Sequence, residues 1–369
     1  MNNLAFAAVD VDDNSFHVCV IDPATKQSQY FQSKPTAKAL IRKLNEQRPE
    51  GKDLKICYEA TYLGYSLCRE LRKARFDCEV IAPSLIPELP GKKVKTNRLD
   101  CKTLAEFYMK ELLTSVHIPE KVDEADRDLI RSRKFLVETA TSIKNHISSM
   151  CKRQGWNYRE ESQKKSYWTS HHMQWLEKKV NSVNESSAKI SFKILLKQLR
   201  DTQDNIATYD SEIEHLANAQ KYAAKVTALN CFRGIDTASA LSLITELGDI
   251  NRFSHPTKLA SYAGLDIIEY SSGSKEKKFK ITGNGNKFLR TTVIEACQFA
   301  MRPVLMSAAM KAQHLQATKQ QSEIAKKCME RLHKKGTKLL YRGKHKNKIK
   351  AACAREMLCF IWESLKTAA

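Results

Sequence analysis

No apolar run in this 369-residue chain approaches the ~20 residues that a membrane-spanning helix needs. Nor does the start, Met1-Asn2-Asn3-Leu4, show the basic stretch followed by an apolar one that marks a secretory leader, so none is expected. Eleven cysteines are present, yet no two form a C-x-x-C pair. Those such as Cys19, Cys57, Cys297 and Cys359 stand singly in apolar stretches, which argues against zinc or disulfides and for small buried hydrophobes in a reducing compartment. Acidic residues are scarce over most of the chain. Lys and Arg number 62 against 41 Asp and Glu, a net charge of +21. Residues 1–120 hold 18 basic and 16 acidic side chains, which leaves +19 on the remainder. So one-sided an excess points to a polyanion, because Lys and Arg bind phosphates and release condensed counterions.

What is present is enough for two or three domains, with 42% hydrophobic residues to fill their cores. Short strand-like runs at Leu4–Val11, Ser15–Ile21, Gln27–Phe31, Leu54–Glu59 and Cys78–Ile81 alternate with helical patterns at Ala37–Gln47 and Leu63–Ala74. Hairpins followed by strand–helix–strand units predict a mixed α/β sheet covered by helices. Pro83, Pro87 and Pro90 then mark a loop. From Glu120 to Ala223 the pattern is helical. Phe192, Leu195, Leu199, Ile206, Tyr209, Ile213, Leu216 and Ala223 form a coiled-coil seam at three-four spacing, to be buried by a hairpin partner or by a second protomer. Trp156, Tyr158, Tyr167, Trp168 and Trp175 can stack on bases or pack beneath such a hairpin. His171 and His172 have no nearby partners in sequence and are not taken as metal ligands. A third region opens with Arg233-Gly234-Ile235-Asp236 before a helix at Thr237–Leu247, a turn that suits either phosphate approach or packing. It ends in a basic tail, Lys326–Lys350, with eleven Lys or Arg and one Glu.

Asp10 and Glu59 each lie at or near the end of a strand-like run, where neighbouring carboxylates converge. Asn97 and Asp100, three apart, share a helical face. Oxygen ligands with surplus negative charge are what magnesium requires, and two such ions stabilise both oxygens of a phosphoryl transfer.

The surrounding motifs go further. Val9-Asp10-Val11, Tyr58-Glu59-Ala60-Thr61 with Gly64-Tyr65, Val80-Ile81-Ala82-Pro83-Ser84-Leu85-Ile86-Pro87 and Val94-Lys95-Thr96-Asn97-Arg98-Leu99-Asp100 resemble the IS110 family of insertion-sequence transposases. So do Arg233-Gly234-Ile235-Asp236, Glu246-Leu247-Gly248-Asp249, Arg252-Phe253, Tyr262-Ala263-Gly264-Leu265, Glu269-Tyr270-Ser271-Ser272-Gly273 and Ile281-Thr282-Gly283-Asn284-Gly285-Asn286, the first and fifth of these being closest to its IS1111 group. The resemblance runs in this order through nearly the whole chain.

It implies a RuvC-like (RNase H-like) catalytic domain over residues 1–119, a helical coiled-coil connector over 120–225 and a mainly α transposase domain over 226–369. It implies a DNA recombinase that cuts and exchanges strands, with Asp10, Glu59 and Asp100 matching three acids of a DEDD set and Ser272 at the nucleophile position, next to Ser271. The fourth acid position is Asn97, which can ligate Mg²⁺ or Mn²⁺ but brings no charge; Asp12 or Asp13 is a candidate to compensate. Lys92, Lys93, Lys95, Arg98, Arg233, Lys275, Lys277, Lys278, Lys280, Lys287, Arg290, Arg342, Lys344, Lys346 and Lys348 are the expected nucleic-acid contacts. Donor and target DNA, a structured noncoding guide RNA, a homo-oligomeric assembly (dimer or tetramer) and a cytoplasmic, nucleoid-associated location complete what the family implies. The alternatives are a water-using RuvC-like nuclease and an inactive nucleic-acid-binding protein.

Overall fold

The computed structural model describes residues 3–87, 97–162, 164–272 and 275–368, with side chains described throughout except at 97 and 269–279. The chain divides into two units, Met1–Pro119 and Glu120–Ala369.

In the first unit β1 (Leu4–Val11), β2 (Phe16–Ile21), β3 (Ser28–Ser33), α1 (Ala37–Glu46), β4 (Asp53–Glu59), α2 (Ser66–Lys73), β5 (Asp77–Ile81) and α3 (Asn97–Met109) follow in order. The strands form one sheet in the order β3-β2-β1-β4-β5. β1, β2 and β3 are antiparallel neighbours, whereas β4 runs parallel to β1 and β5 parallel to β4. Period-two alternation assigns the faces. Ala5, Ala7, Val9 and Val11 join Phe16, Val18, Ile56 and Tyr58 in a layer closed by Leu40 and Leu44 of α1 and Leu67 and Leu71 of α2. Ala8, Cys19, Ile21, Cys57 and Ile81 face the other way, onto Cys101, Leu104, Ala105 and Tyr108 of α3. With both faces covered, the central strands are apolar almost without interruption. The expected mixed sheet is therefore present, with element ends shifted by up to three residues.

The second unit is mostly helical: α4 (Lys121–Arg153), α5 (Tyr158–Ser162), α6 (Ser170–Asn181), α7 (Ser186–Ala217), α8 (Ala223–Asn230), α9 (Thr237–Leu247), α10 (Pro256–Tyr262), β6 (Ile267–Ser272), β7 (Lys275–Ile281), α11 (Lys287–Ala296), α12 (Ala308–Gln316), α13 (Lys319–Tyr341) and α14 (Lys346–Lys366). The predicted seam of α7 is closed by α4 of the same chain. Phe192 and Leu199 of the seam pack with Ala140, Ile143, Ile147 and Met150 near one end of the pair, joined by Leu196, whereas Leu195 and Ile206, expected in the seam, are only partly buried. At the other end Lys221 meets Asp123 and the Tyr222 hydroxyl reaches Asp126, so the helices are antiparallel. Of the two candidate partners, the intramolecular one buries the seam.

The aromatic stretch resolves toward packing. His172 is buried among Tyr158, Tyr167, Trp168 and Trp175, and its Nδ1 accepts the Trp168 backbone N–H at 3.0 Å. Burial pushes the His172 imidazole below its ordinary value. Gly234 in turn adopts φ +89°, and a Cβ there would lie 2.4 Å from the Ala296 carbonyl oxygen, while Asp236 caps α9 through the Ser239 N–H at 2.8 Å. The Arg-Gly-Ile-Asp turn thus serves packing and capping. All eleven cysteines are free, ten of them buried, as expected of small hydrophobes. Among the described residues no helix is long and apolar enough to cross a membrane.

One element was not expected. β6 and β7 form an antiparallel ribbon, and Ser271 and Ser272 close its first strand, in a domain read from sequence as mainly helical. Its Lys-rich second strand has only Phe279 and Ile281 as an apolar alternation, too short to signal it.

Candidate functional site

Asp10 and Glu59 end up side by side for reasons of register. β1 and β4 are parallel with Val9 beside Tyr58, so the next residues, Asp10 and Glu59, come at the same edge of the sheet, within one residue of the strand ends. Both belong to the face that packs on α3, since Ala8 and Cys57, two residues earlier on each strand, lie in that core. Across β2, Asp10 pairs with His17. The His17 ring is fixed by the Ser15 hydroxyl at 3.1 Å, the Tyr30 hydroxyl and the Gln32 amide. α3 is pinned over this edge by buried Cys101, whose thiol donates to the His17 carbonyl at 3.2 Å. That leaves Asp100, one residue earlier, exposed beside Asp10.

The electrostatics register the juxtaposition. The Asp10 carboxyl is raised above its ordinary value, first by burial and then by the negative charge of Asp100 and Asp12, with His17 opposing. Carboxylates that repel one another at a half-buried strand end form a donor set suited to a hard divalent cation. The fit is partial. Among the described residues no cluster of three or more His, Cys, Asp or Glu is already arranged to hold a metal ion. The Asn97 side chain, expected to be a fourth ligand, lies outside the described side chains, as Lys92, Lys93 and Lys95 lie outside the described residues. Asp12 does not continue the strand: β1 ends at Val11 and Asp12 accepts the Asn14 N–H in the turn at 3.0 Å. Asp13 is engaged by the Tyr62 hydroxyl, whose pKa it lifts to about 12. Arg98 lies over the Tyr30 ring, 5.5 Å from its centroid.

Ser271 and Ser272 are the last residues of β6, opposite Glu276 and Lys275 of β7. Lys277 stands opposite Tyr270 and Lys278 opposite Glu269, and Lys280 is exposed. For Ser272, Lys275, Lys277 and Lys278 only the backbone positions are described. The root of this ribbon is tightly held. Gly283 N–H donates to the Gly264 carbonyl at 3.1 Å, and Asn286 N–H to the Tyr262 carbonyl at 2.8 Å. A Cβ on Gly264 would sit 2.0 Å from the Asn284 carbonyl oxygen, and one on Gly285 2.4 Å from that of Tyr262. Both glycines have positive φ, +67° and +103°.

Behind the root is a clasp that sequence reasoning missed. Glu246, 3% exposed, accepts two hydrogen bonds from the Arg131 guanidinium, at 2.7 and 2.9 Å, and one from the Asn286 amide at 2.6 Å. Asn286 also caps α11 by accepting the Leu289 N–H at 2.9 Å. Arg131 further covers the Phe288 ring at 4.6 Å. The three segments carrying Glu246, Tyr262–Leu265 and Ile281–Asn286, which read as separate motifs, meet here. The only available hint was an Asn immediately before a helical pattern.

The remaining cations divide into two groups. Arg233 donates to the Pro303 carbonyl at 2.9 Å and is pushed below its ordinary value by burial and by Arg302. Arg290 donates to the Ala263 carbonyl at 3.0 Å. These two brace loops. Lys287, Arg342, Lys344, Lys346 and Lys348 are exposed.

Comparison with known proteins agrees with the motifs. A profile of the transposase IS116/IS110/IS902 family matches residues 226–321, and a DEDD transposase profile of the IS110 type matches residues 7–153. A putative transposase, y4qE, of Sinorhizobium fredii is 32% identical over 361 residues, which cover 97% of this chain and 87% of the relative. The transposase for insertion sequence element IS1533 of Leptospira borgpetersenii is 27% identical over 68% of this chain and 71% of its own length. That for IS1111A of Coxiella burnetii is 23% identical over 64% of each.

Proposed function

The chain belongs to the IS116/IS110/IS902 family of insertion-sequence transposases and is a DNA transposase, and from that premise we propose how its residues divide the work. The first unit acts as a RuvC-like domain in which Asp10, Glu59 and Asp100, with Asn97, hold divalent metal. The observation that carries this reading is the convergence of Asp10 and Glu59 at adjacent parallel strand ends beneath Asp100 on α3. The sheet order β3-β2-β1-β4-β5, antiparallel on one side and parallel on the other, supports it. Bound metal would supply positive charge at the phosphate being transferred.

The chain's own residues do the rest. Ser272 Oγ attacks a DNA phosphorus, forming an Oγ–P ester as the bond to one deoxyribose oxygen breaks. The serine proton is passed on, and the departing strand leaves as an alcohol. A strand hydroxyl then attacks the phosphoserine, restoring Ser272 and joining the new strand. Because one ester replaces another, no bond energy is lost to water. Lys275, Lys277, Lys278 and Lys280 lie on the ribbon of Ser272, where they can neutralise the phosphate. The exposed cations of the second unit, with Lys92, Lys93, Lys95 and Arg98, hold DNA and a noncoding guide RNA. A homo-oligomer brings the DNA ends together; with the α7 seam closed by α4, another surface must serve.

Reaction of the magnesium-supplied protein with donor, target and the RNA flanking its gene tests this. The expected product is a denaturation-resistant protein–DNA adduct that maps to Ser272 and is lost in Ser272→Ala. Normal recombination by a Ser271→Ala, Ser272→Ala double variant would replace the serine mechanism with hydrolysis.

A further inference from the structure

The α13–α14 hairpin carries exposed cations to which the reaction scheme gives only general nucleic-acid holding, and an aromatic ring to which it gives nothing. Residues 340–348 are exposed without a break. Tyr341, the last residue of α13, is 89% exposed, and Leu340 beside it is 42% exposed. Among the described residues no ring or cation packs on the Tyr341 ring. The tip is nevertheless firm. Lys344 N–H donates to the Leu339 carbonyl at 3.1 Å and Gly343 N–H to the Leu340 carbonyl at 2.9 Å, the paired closure of a helix end with glycine in the left-handed region at φ +66°. Ile349 and Cys353 of α14 and Leu332 of α13 anchor the two helices in the main core below it.

Charge is distributed unevenly along this hairpin. Lower down, Arg331 and Lys335 share Glu356. Toward the tip the sequence from Arg331 to Arg355 contains no Asp or Glu, and Lys338, Arg342, Lys344, Lys346 and Lys348 are exposed. A rigidly presented, uncovered aromatic ring between unneutralised cations fits a nucleic-acid strand: the ring offers its face to a base and the cations reach the phosphates on either side. In a closed duplex the base faces are already stacked, so the ring can be covered only by an unpaired nucleotide.

We propose that the α13–α14 tip holds DNA at an unpaired position, with Tyr341 stacked on the exposed base and Arg342, Lys344, Lys346 and Lys348 on the flanking phosphates. The choice of DNA rests on the transposase reading, since strand exchange must separate paired strands. The test uses full-length protein and fluorescence anisotropy on three probes: a DNA duplex, the same duplex with an internal unpaired stretch, and an RNA hairpin with an equal loop. Tyr341→Ala should weaken binding to the unpaired DNA roughly tenfold and leave duplex binding unchanged, while Tyr341→Phe keeps the wild-type preference. A Lys344→Ala, Lys346→Ala, Lys348→Ala variant should weaken both DNA probes alike and reduce the slope of log affinity against log salt by about 3. Wild-type affinity of Tyr341→Ala for the unpaired DNA, or a loss confined to the RNA hairpin, would overturn the assignment. Recombination assays separate it from the wider reading. A protein that cannot join strands, yet loses its preference in Tyr341→Ala, keeps the tip and drops the mechanism. A protein that recombines, with the preference intact in Tyr341→Ala, does the reverse.

Discussion

Asp10 sits where burial and two neighbouring carboxylates all disfavour its charge. A residue kept acidic at such a place is compensated when a cation arrives. Asp10→Ala should therefore lower strand cleavage on the order of a thousandfold, several kcal/mol of transition-state stabilisation, while circular dichroism and duplex binding stay unchanged. Cleavage at the wild-type rate in Asp10→Ala would remove the metal reading from this domain. Asn97→Asp restores the missing charge of the set, and its cleavage should reach half-maximum at lower magnesium than wild type; a higher requirement would show that the amide is specifically needed. Gly264 belongs to the same scale but to stability. With φ +67° and no room for a methyl group, Gly264→Ala should cost about 3 kcal/mol in urea unfolding and disturb the ribbon that carries Ser272.

Among the elements, the Glu246 clasp ties α4, the end of α9 and the start of α11 through a carboxylate that is almost fully enclosed. Arg131→Met leaves that carboxylate with only the Asn286 amide among the groups described for it. The expected loss is ~2–3 kcal/mol in thermal unfolding, below that of a fully buried pair because the Arg131 side chain is 36% exposed. A change under half a kcal/mol would make the clasp incidental. The α13–α14 pair has a pH signature. Burial works to raise the Glu356 carboxyl, but Lys335 at 2.8 Å and Arg331 overcome it, so the group lies below its ordinary 4.5. A depressed acid contributes stability that is complete above its unfolded value and is lost as pH falls through the folded one. The melting temperature of Glu356→Gln should thus fall below wild type at pH 6, and the two curves should approach one another only as pH drops below 4.5 through the lowered value. At this scale the limits of sequence are plain. β1, β2, β4 and β5 were legible because each is a short apolar run between turns, and Asp10 and Glu59 were legible at their ends. The β6–β7 ribbon was not, because Ser271–Lys280 has no alternating apolar face. Neither was the clasp, because nothing in a linear pattern joins Arg131 to a residue 115 positions away.

For the whole molecule, the charge partition matters more than any one lysine. Residues 1–120 carry +2 and the rest +19, so nucleic-acid affinity should reside overwhelmingly in the second unit and collapse with salt. If six to ten phosphates are neutralised, affinity should drop about 10³–10⁵-fold between 50 and 200 mM salt. Anisotropy titrations measure this directly, and a drop under tenfold would assign the charge to solubility. Location on the chain has another effect, on light emission. Three of the four tryptophans, Trp156, Trp168 and Trp175, crowd around His172 and Phe192, and the fourth, Trp362, lies in α14. The unit that holds Asp10 and Glu59 contains no indole at all. Intrinsic fluorescence excited at the red edge therefore sees the second unit alone. A melt followed by that signal would pass silently over unfolding of the carboxylate domain.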